Sequence, residues 1–423
     1  HKNETPRTVE LGDVSGKGSL VIVGNKERTE ATKNEAGAIT QGAFVEAAGK
    51  EDNVTVEIAS VDGLAELGVA NANLTIEGSV VNVTTTTLVN SATTVDGEVS
   101  TVGLNVNGES TLTATGDIKN IISQGATGTQ IDGQVISKEG EISLTNGSVN
   151  EGAIVRAESA SRGDVTLSNI ESEKAAEISA GHDLTLTENT VVNGVQEITI
   201  GNDLTVETGS KLTNYEGSIV APGNITVSDD SSISDIGGNV EASGDLSLEG
   251  DSSISGVDGS ITAGGEGSTE GNITVSDGSS ISGVGGNVEA SGDLSLDNSS
   301  LTDVTGTVDV DGDMSVQNGS KVDNLGGLDV EGSLTIDNST VTDVANGEGV
   351  VGEVGNGNDG DSLTIQNGGS LSNSTLNVNG DIIVDGATLT SSTITATGKL
   401  EEKNGAILSK GEGVGGDGGI SSR

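Results

Sequence analysis

GDLSLDNSSLTDVTGTVDVD (292–311), GDMSVQNGSKVDNLGGLDVE (312–331) and GSLTI (332–336) follow one another directly. In each, a Gly and a polar residue precede an apolar-polar-apolar triplet: Leu294-Ser295-Leu296, Met314-Ser315-Val316 and Leu334-Thr335-Ile336. That alternation marks a short strand with one buried face. A second apolar pair follows a turn (Leu301 with Val304, Val322 with Leu325), and a third closes the unit (Val308 with Val310, Leu328 with Val330). A hairpin would send the chain back antiparallel. A coil of three strands instead displaces it by one register, so that like strands stack in parallel about 4.8 Å apart. The expected fold is all-β: a single parallel β-solenoid (β-helix) of three-strand coils, each about 20 residues long.

The same phase runs outward from this stretch. Leu184, Leu204, Ile225, Leu246, Ile273, Leu294, Met314, Leu334, Leu363, Ile382 and Leu400 each open an equivalent strand, preceded by Ile142 and Val165. Val54-Thr55-Val56 and Leu74-Thr75-Ile76 start the period, which blurs through the Thr-rich segment 84–94. Residues 224–248 recur almost verbatim at 272–296, a duplication of coils. Two steps are long, and their extra residues, Gly264–Gly271 and Asn346–Gly360, are expected to be loops extruded from one corner. Residues 1–50 fit the repeat least and are expected to be an N-terminal cap or assembly segment, with a helix, loop or irregular coil around Phe44. Residues 51–398 form the body, and 399–423 a C-terminal tail that is a second candidate assembly segment.

Composition narrows the function classes. One Tyr, one Phe, no Trp and no Cys among 423 residues exclude an aromatic-filled globular core and a disulfide framework, whereas a solenoid needs only a narrow aliphatic column. His1 stands where an initiator Met would be, so the sequence reads as a processed product or a fragment. A net charge of −47 argues against nucleic acid and against an anionic membrane surface, and no run is apolar enough for a membrane-embedded helix. The charge is unevenly placed: residues 1–50 carry seven Lys/Arg and seven Asp/Glu, residues 399–423 four of each, and the body carries seven against 54. Balanced ends on an anionic flank permit axial contact and penalise lateral clumping, so the expected partner is self, as a head-to-tail homopolymer.

Just after the opening strand an Asn recurs (Asn146, Asn169, Asn298, Asn318, Asn338, Asn367), with Asp229 and Asp277 in the same place. Stacked amides hydrogen-bonding along the column and simple turn preference both explain it. Sugar-cleaving chemistry would need clustered carboxylates with a base and aromatic platforms. Between 175 and 398 the only Lys or Arg are Lys211 and Lys321, while His182 and Tyr215 have no evident companions and His182 reads as a solvent-facing turn residue, so an enzyme is not expected. No cofactor is required. The metal candidates are Asp309, Asp311 and Asp313 in one acidic turn and Asp359 and Asp361 in another, where Ca²⁺ is the expected ion if any binds; neither completes an EF-hand.

AGHDLTL at 180–186 and ASGDLSL at 242–248 and 290–296, each followed by a turn and a short apolar pair, resemble the repeats of filamentous-haemagglutinin-type adhesins and autotransporter passengers. The likeness covers roughly residues 140–400. It implies a right-handed parallel β-helix, secreted and held outside the cell or on its surface. The expected function is therefore a secreted structural subunit of a filament or matrix fibre. The alternative is an adhesin passenger whose extruded loops bind a receptor or glycan on a host or neighbouring-cell surface.

Overall fold

The computed structural model describes residues 8–25, 43–48, 55–120, 128–265, 271–345, 351–357 and 360–409. Every regular element among them is a β-strand, and the strands make about 17 turns of coil in all. The chain divides into two compact units, His1–Gly201 and Asn202–Arg423, and each is a parallel β-solenoid.

In the second unit a complete coil has three strands, except that in the coils opening at Leu294 and Met314 the second and third run on as one, Ser300–Val310 and Lys321–Val330. The first strands are Leu204–Val206, Ile225–Val227, Leu246–Leu248, Ile273–Ser276, Leu294–Asp297, Met314–Gln317, Leu334–Asp337, Ser362–Gln366, Asp381–Asp385 and Leu400–Lys403. Leu204, Ile225, Leu246, Ile273, Leu294, Met314, Leu334, Leu363, Ile382 and Leu400 stand in strict parallel register, as the repeat phase requires. Second strands stack Leu212, Ile233, Ile254, Ile281, Leu301, Val322, Val341, Leu371 and Leu389, all buried. Third strands stack Ala221, Ala242, Ala263, Ala290, Val310, Val330, Val354, Val378 and Ala396. Burying each aliphatic side chain against its own kind in adjacent coils contributes roughly 1.5–3 kcal/mol per residue, which a lone coil could not realise.

The first unit has the same logic with a different phase. Thr8–Leu11, Thr55–Ile58, Asn73–Ile76, Ala92–Val95, Thr111–Ala114, Gln134–Ser137, Ile154–Ala157, Glu177–Ala180 and Glu197–Ile200 form one nine-stranded sheet. Val56 and Leu74 belong to this sheet, whereas Ile142, Val165 and Leu184 belong to another that runs through Val61, Val80, Val99 and Ile118. The two sets of strands, similar in sequence, are therefore different sides of the coil. The blur at 84–94 has a physical cause: Thr86 and Thr93 are each 2% exposed and take core positions, Thr93 between Leu74 and Leu112. Thr shares the branched shape of Val and fits the pleat.

Parallel pairing also extends beyond the 51–398 body, to Thr8–Leu11 at one side and Ile407–Ser409 at the other. Phe44 lies in a strand, Ala43–Ala48, that pairs with Ser19–Asn25; residues 26–42 and 410–423 lie outside the described residues. The long steps do not share one corner. Gly264–Gly271 joins a third strand to a first, while the extra length after 345 is split between a second-to-third corner before Gly352 and a third-to-first corner after Val354. Residues 266–270, 346–350 and 358–359 are not described. The first insertion is tied at its base: Gly264 N–H donates to Ala242 O at 2.9 Å and Gly271 N–H to Ser291 Oγ at 2.9 Å.

Candidate functional site

A coil of short strands has three corners per turn, and at each corner a backbone N–H must find a partner. The Gly-polar pair of the repeat meets that need at the first. Asn224 N–H donates to Asp203 Oδ1 at 2.7 Å, Asp245 N–H to Asn224 Oδ1 at 2.9 Å, Asn272 N–H to Asp245 Oδ1 at 2.8 Å, Asp293 N–H to Asn272 Oδ1 at 2.8 Å, Asp313 N–H to Asp293 Oδ1 at 2.8 Å and Ser333 N–H to Asp313 Oδ1 at 2.7 Å. The Gly is needed because a Cβ on Gly292, Gly312 or Gly332 would strike that same oxygen.

A second ladder is buried. Ser210, Ser231, Ser252, Ser279, Ser299, Ser320 and Ser339 are all buried, and in pairs such as Ser231–Ser252 (3.3 Å), Ser252–Ser279 (3.1 Å) and Ser299–Ser320 (3.0 Å) one N–H donates to the next hydroxyl. Ser320 Oγ in turn donates to Gln317 O at 2.6 Å and Ser339 Oγ to Asp337 O at 2.9 Å. Sequence reading missed this spine, although its signal, a Ser two residues before each buried second-strand residue, is present in every one of these coils.

The recurring Asn after the first strand has φ between +49° and +57° at all eight positions, a left-handed conformation that Asn and Asp tolerate best after Gly. Amide contacts accompany it: Asn169 Nδ2 donates to Asn146 Oδ1, but Asn318 and Asn367 reach back to Asp297 (2.7 Å) and Asp337 (2.9 Å) instead of to an equivalent Asn. A second left-handed column, unnoticed in the sequence, runs through Asn214, Asp235, Gly256, Gly283, Asp303, Asn324, Asp343, Asn373 and Ser391.

Among the described residues, Asp309, Asp311, Asp313 and Asp361 form no group of three ligand atoms within 4.8 Å of one another. Asp309 lies in a row of outward carboxylates, Glu289, Asp309, Asp329 and Glu353, in consecutive register. Burial, then the charges of Asp329, Asp311, Glu289 and Glu331, push its carboxyl above the ordinary 3.8. Asp311 shares that face. Asp313 is engaged in the corner ladder, and Asp361 Oδ2 accepts Asn356 N–H at 3.2 Å. Asp359 lies outside the described residues.

His182 departs from its expected role as a solvent-facing turn residue without partners. It is half-buried, with Nδ1 2.8 Å from Asp164 Oδ1 and 3.2 Å from Asp183 Oδ2. Tyr215 is a core residue, 6% exposed, in register with Ile236. Most of the body's cations are held by carboxylates: Lys119 by Asp117 and Glu141, Lys138 by Glu158, Arg156 by Glu177, Lys321 by Asp323. Burial would raise the Asp117 carboxyl, but hydrogen bonds from Lys119 and the Glu141 N–H, with the charges of Lys119 and Arg162, hold it below its usual value.

One concavity stands apart on this acidic surface. In the first unit, a cleft of about 540 Å³ is lined by Thr87, Asn105, Asn107, Gly128, Thr129, Gln130, Asn146, Gly147 and Ser148, with no charged residue. Thr87, Asn105, Gln130 and Ser148 occupy one outward row across successive coils, and Asn107 Oδ1 is buried there without a hydrogen-bond partner.

These features define a parallel β-solenoid repeat protein whose polar residues chiefly complete its own corners. Comparison with protein-family models, with curated proteins and with solved structures gives no match for the chain. Among the described residues no helix is long and apolar enough to cross a membrane.

Proposed function

We propose that the chain is a secreted, extracellular structural subunit, of the haemagglutinin and autotransporter-passenger kind, that assembles end to end into a cell-surface filament or matrix fibre and performs no catalysis. The observation that carries this reading is the state of the outermost strands. In the second unit Thr393–Ala396, Leu400–Lys403 and Ile407–Ser409 each pair on one side only among the described residues, and Ile407 is 58% exposed. In the first unit Thr8–Leu11 likewise pairs only with Thr55–Ile58. A parallel edge left unpaired among the described residues is a template for another chain, and a contact that repeats without closing makes a fibre. Negative-stain microscopy and sedimentation of the purified chain test it. Fibres from the wild type that disappear in Ile407→Lys, with unchanged circular dichroism, support the proposal; uniform short particles at every concentration reject it.

The uncharged cleft favours a second reading, an adhesin for a neutral glycan. Side-chain amides and hydroxyls offer paired donors and acceptors to sugar hydroxyls without the repulsion of a carboxylate wall. Saturation-transfer NMR with neutral oligosaccharides decides it: a signal lost in Gln130→Ala and Asn105→Ala, and kept when residues 266–270 are deleted, assigns binding to the cleft instead of to the extruded loop.

A further inference from the structure

We infer that Asp164, His182 and Asp183 form a binding site for a divalent transition-metal ion of the zinc class, bridging two adjacent coils of the first unit. Among the described residues this is the one group of three His, Asp or Glu side chains whose ligand atoms all lie within 4.8 Å of one another. His182 Nδ1 stands 2.8 Å from Asp164 Oδ1 and 3.2 Å from Asp183 Oδ2. An ion bonded at about 2.0–2.2 Å holds adjacent donors about 2.8–3.6 Å apart, so both separations already suit ligands of one ion. The third, between the Asp164 and Asp183 carboxylates, is no more than 4.8 Å.

The fold holds these donors in place. Asp164 Oδ1 also accepts Asp183 N–H at 3.2 Å. His182 is anchored at both backbone atoms, its N–H to Gly163 O at 3.3 Å and its carbonyl from Gly201 N–H at 3.0 Å, while Asp183 O accepts Val165 N–H at 2.8 Å. Asp164 comes from one coil, and His182 with Asp183 from the next, so the ion would cross-link them along the axis.

The donor set selects the ion. One imidazole nitrogen with two carboxylates suits Zn²⁺, Co²⁺ or Mn²⁺. Ca²⁺ wants six to eight oxygens, which this corner lacks. The three side chains are about one-third exposed, which leaves room for water at the remaining positions.

The test uses the full chain with ZnCl₂ as probe, in a background of excess Mg²⁺ to occupy diffuse acidic sites. The chain has only two histidines, His1 and His182, so the imidazole nitrogen resonances of His182 can be followed individually, and His1→Ala removes the competitor. The expected result is a saturable shift of the His182 nitrogens at one equivalent of zinc in the His1→Ala chain, with a matching rise in unfolding temperature. His182→Gln, which keeps a hydrogen-bond donor toward Asp164, and Asp164→Asn should each weaken zinc binding roughly tenfold or more with the unliganded fold intact by circular dichroism. Zinc affinity unchanged in His182→Gln would mean that acidic surface alone binds the ion, and it would overturn the site. No saturable shift at millimolar zinc would overturn it equally.

Discussion

At Gly312 the absent side chain is what lets Asp293 Oδ1 reach the backbone N–H of Asp313. Gly312→Ala should therefore cost about 1–3 kcal/mol, as overpacking against a fixed oxygen does. Asp293→Asn should be nearly neutral, because Asn224 and Asn272 already serve as acceptors in the same ladder, whereas Asp293→Ala should cost about 1 kcal/mol or more. Urea midpoints of the three variants check the order. Thr93 makes the opposite case: its hydroxyl is buried with no partner, so Thr93→Val should stabilise by about 1 kcal/mol, and an unchanged or lower midpoint would show a partner that the buried geometry hides. Asp309 carries a pH dependence. Its carboxyl is raised by burial and by its neighbours' charges, so its ionised form is disfavoured in the folded chain. That cost is present in full at neutral pH and disappears as pH falls through the raised pKa toward the unfolded value. Asp309→Asn should accordingly raise the denaturation midpoint at about pH 7 and converge with wild type by about pH 4; equal midpoints at neutral pH would count against the shift.

At the scale of the element, a strand of three to five residues is too short to be stable alone, and its ends are decided by corners. The left-handed column at Asn214, Asp235, Gly256, Gly283, Asp303, Asn324, Asp343, Asn373 and Ser391 turns each second strand toward the third. Asn324 Nδ2 also donates a hydrogen bond to Asp303 Oδ1 at 2.8 Å. Asn324→Gly should be close to neutral, while Asn324→Val, β-branched at φ +58°, should lose roughly 1–2 kcal/mol. The buried serine spine predicts a stiffer penalty. Ser252→Ala removes the acceptor of Ser231 N–H and leaves a buried donor unpaired, at about 1–3 kcal/mol; hydrogen exchange at Ser231 should quicken before exchange elsewhere in the coil does.

For the whole molecule, charge is the governing quantity. The net −47 falls on a body whose few cations are mostly already paired, and rows such as Glu289, Asp309, Asp329 and Glu353 repeat like charges in register. Screening should relieve that repulsion. Thermal midpoints should rise from EDTA to millimolar Ca²⁺ at low ionic strength, and the gap should close in high salt. Identical midpoints at low salt would mean that the rows are too well hydrated to strain the fold.

By itself the sequence determined the coil, its three strands and the parallel register from Leu204 to Leu400, because period and alternation are properties of order along the chain and every coil repeats them. It did not separate the Val56–Leu74 sheet from the Ile142–Val165 sheet, since both read as apolar-polar-apolar and differ only in which side of the coil they occupy. The corner ladders were half legible. The Gly-polar pair was visible, but that Asp293 serves Asp313 depends on which residues stacking brings together, about 20 positions apart. The carboxylates of 309–313 looked like one cluster because they are adjacent in sequence, yet the chain turns a corner between Val310 and Met314, and there Asp313 accepts Ser333 N–H at 2.7 Å. His182 looked alone for the converse reason: Asp164 belongs to the neighbouring coil, and only axial stacking places its oxygen 2.8 Å from the imidazole.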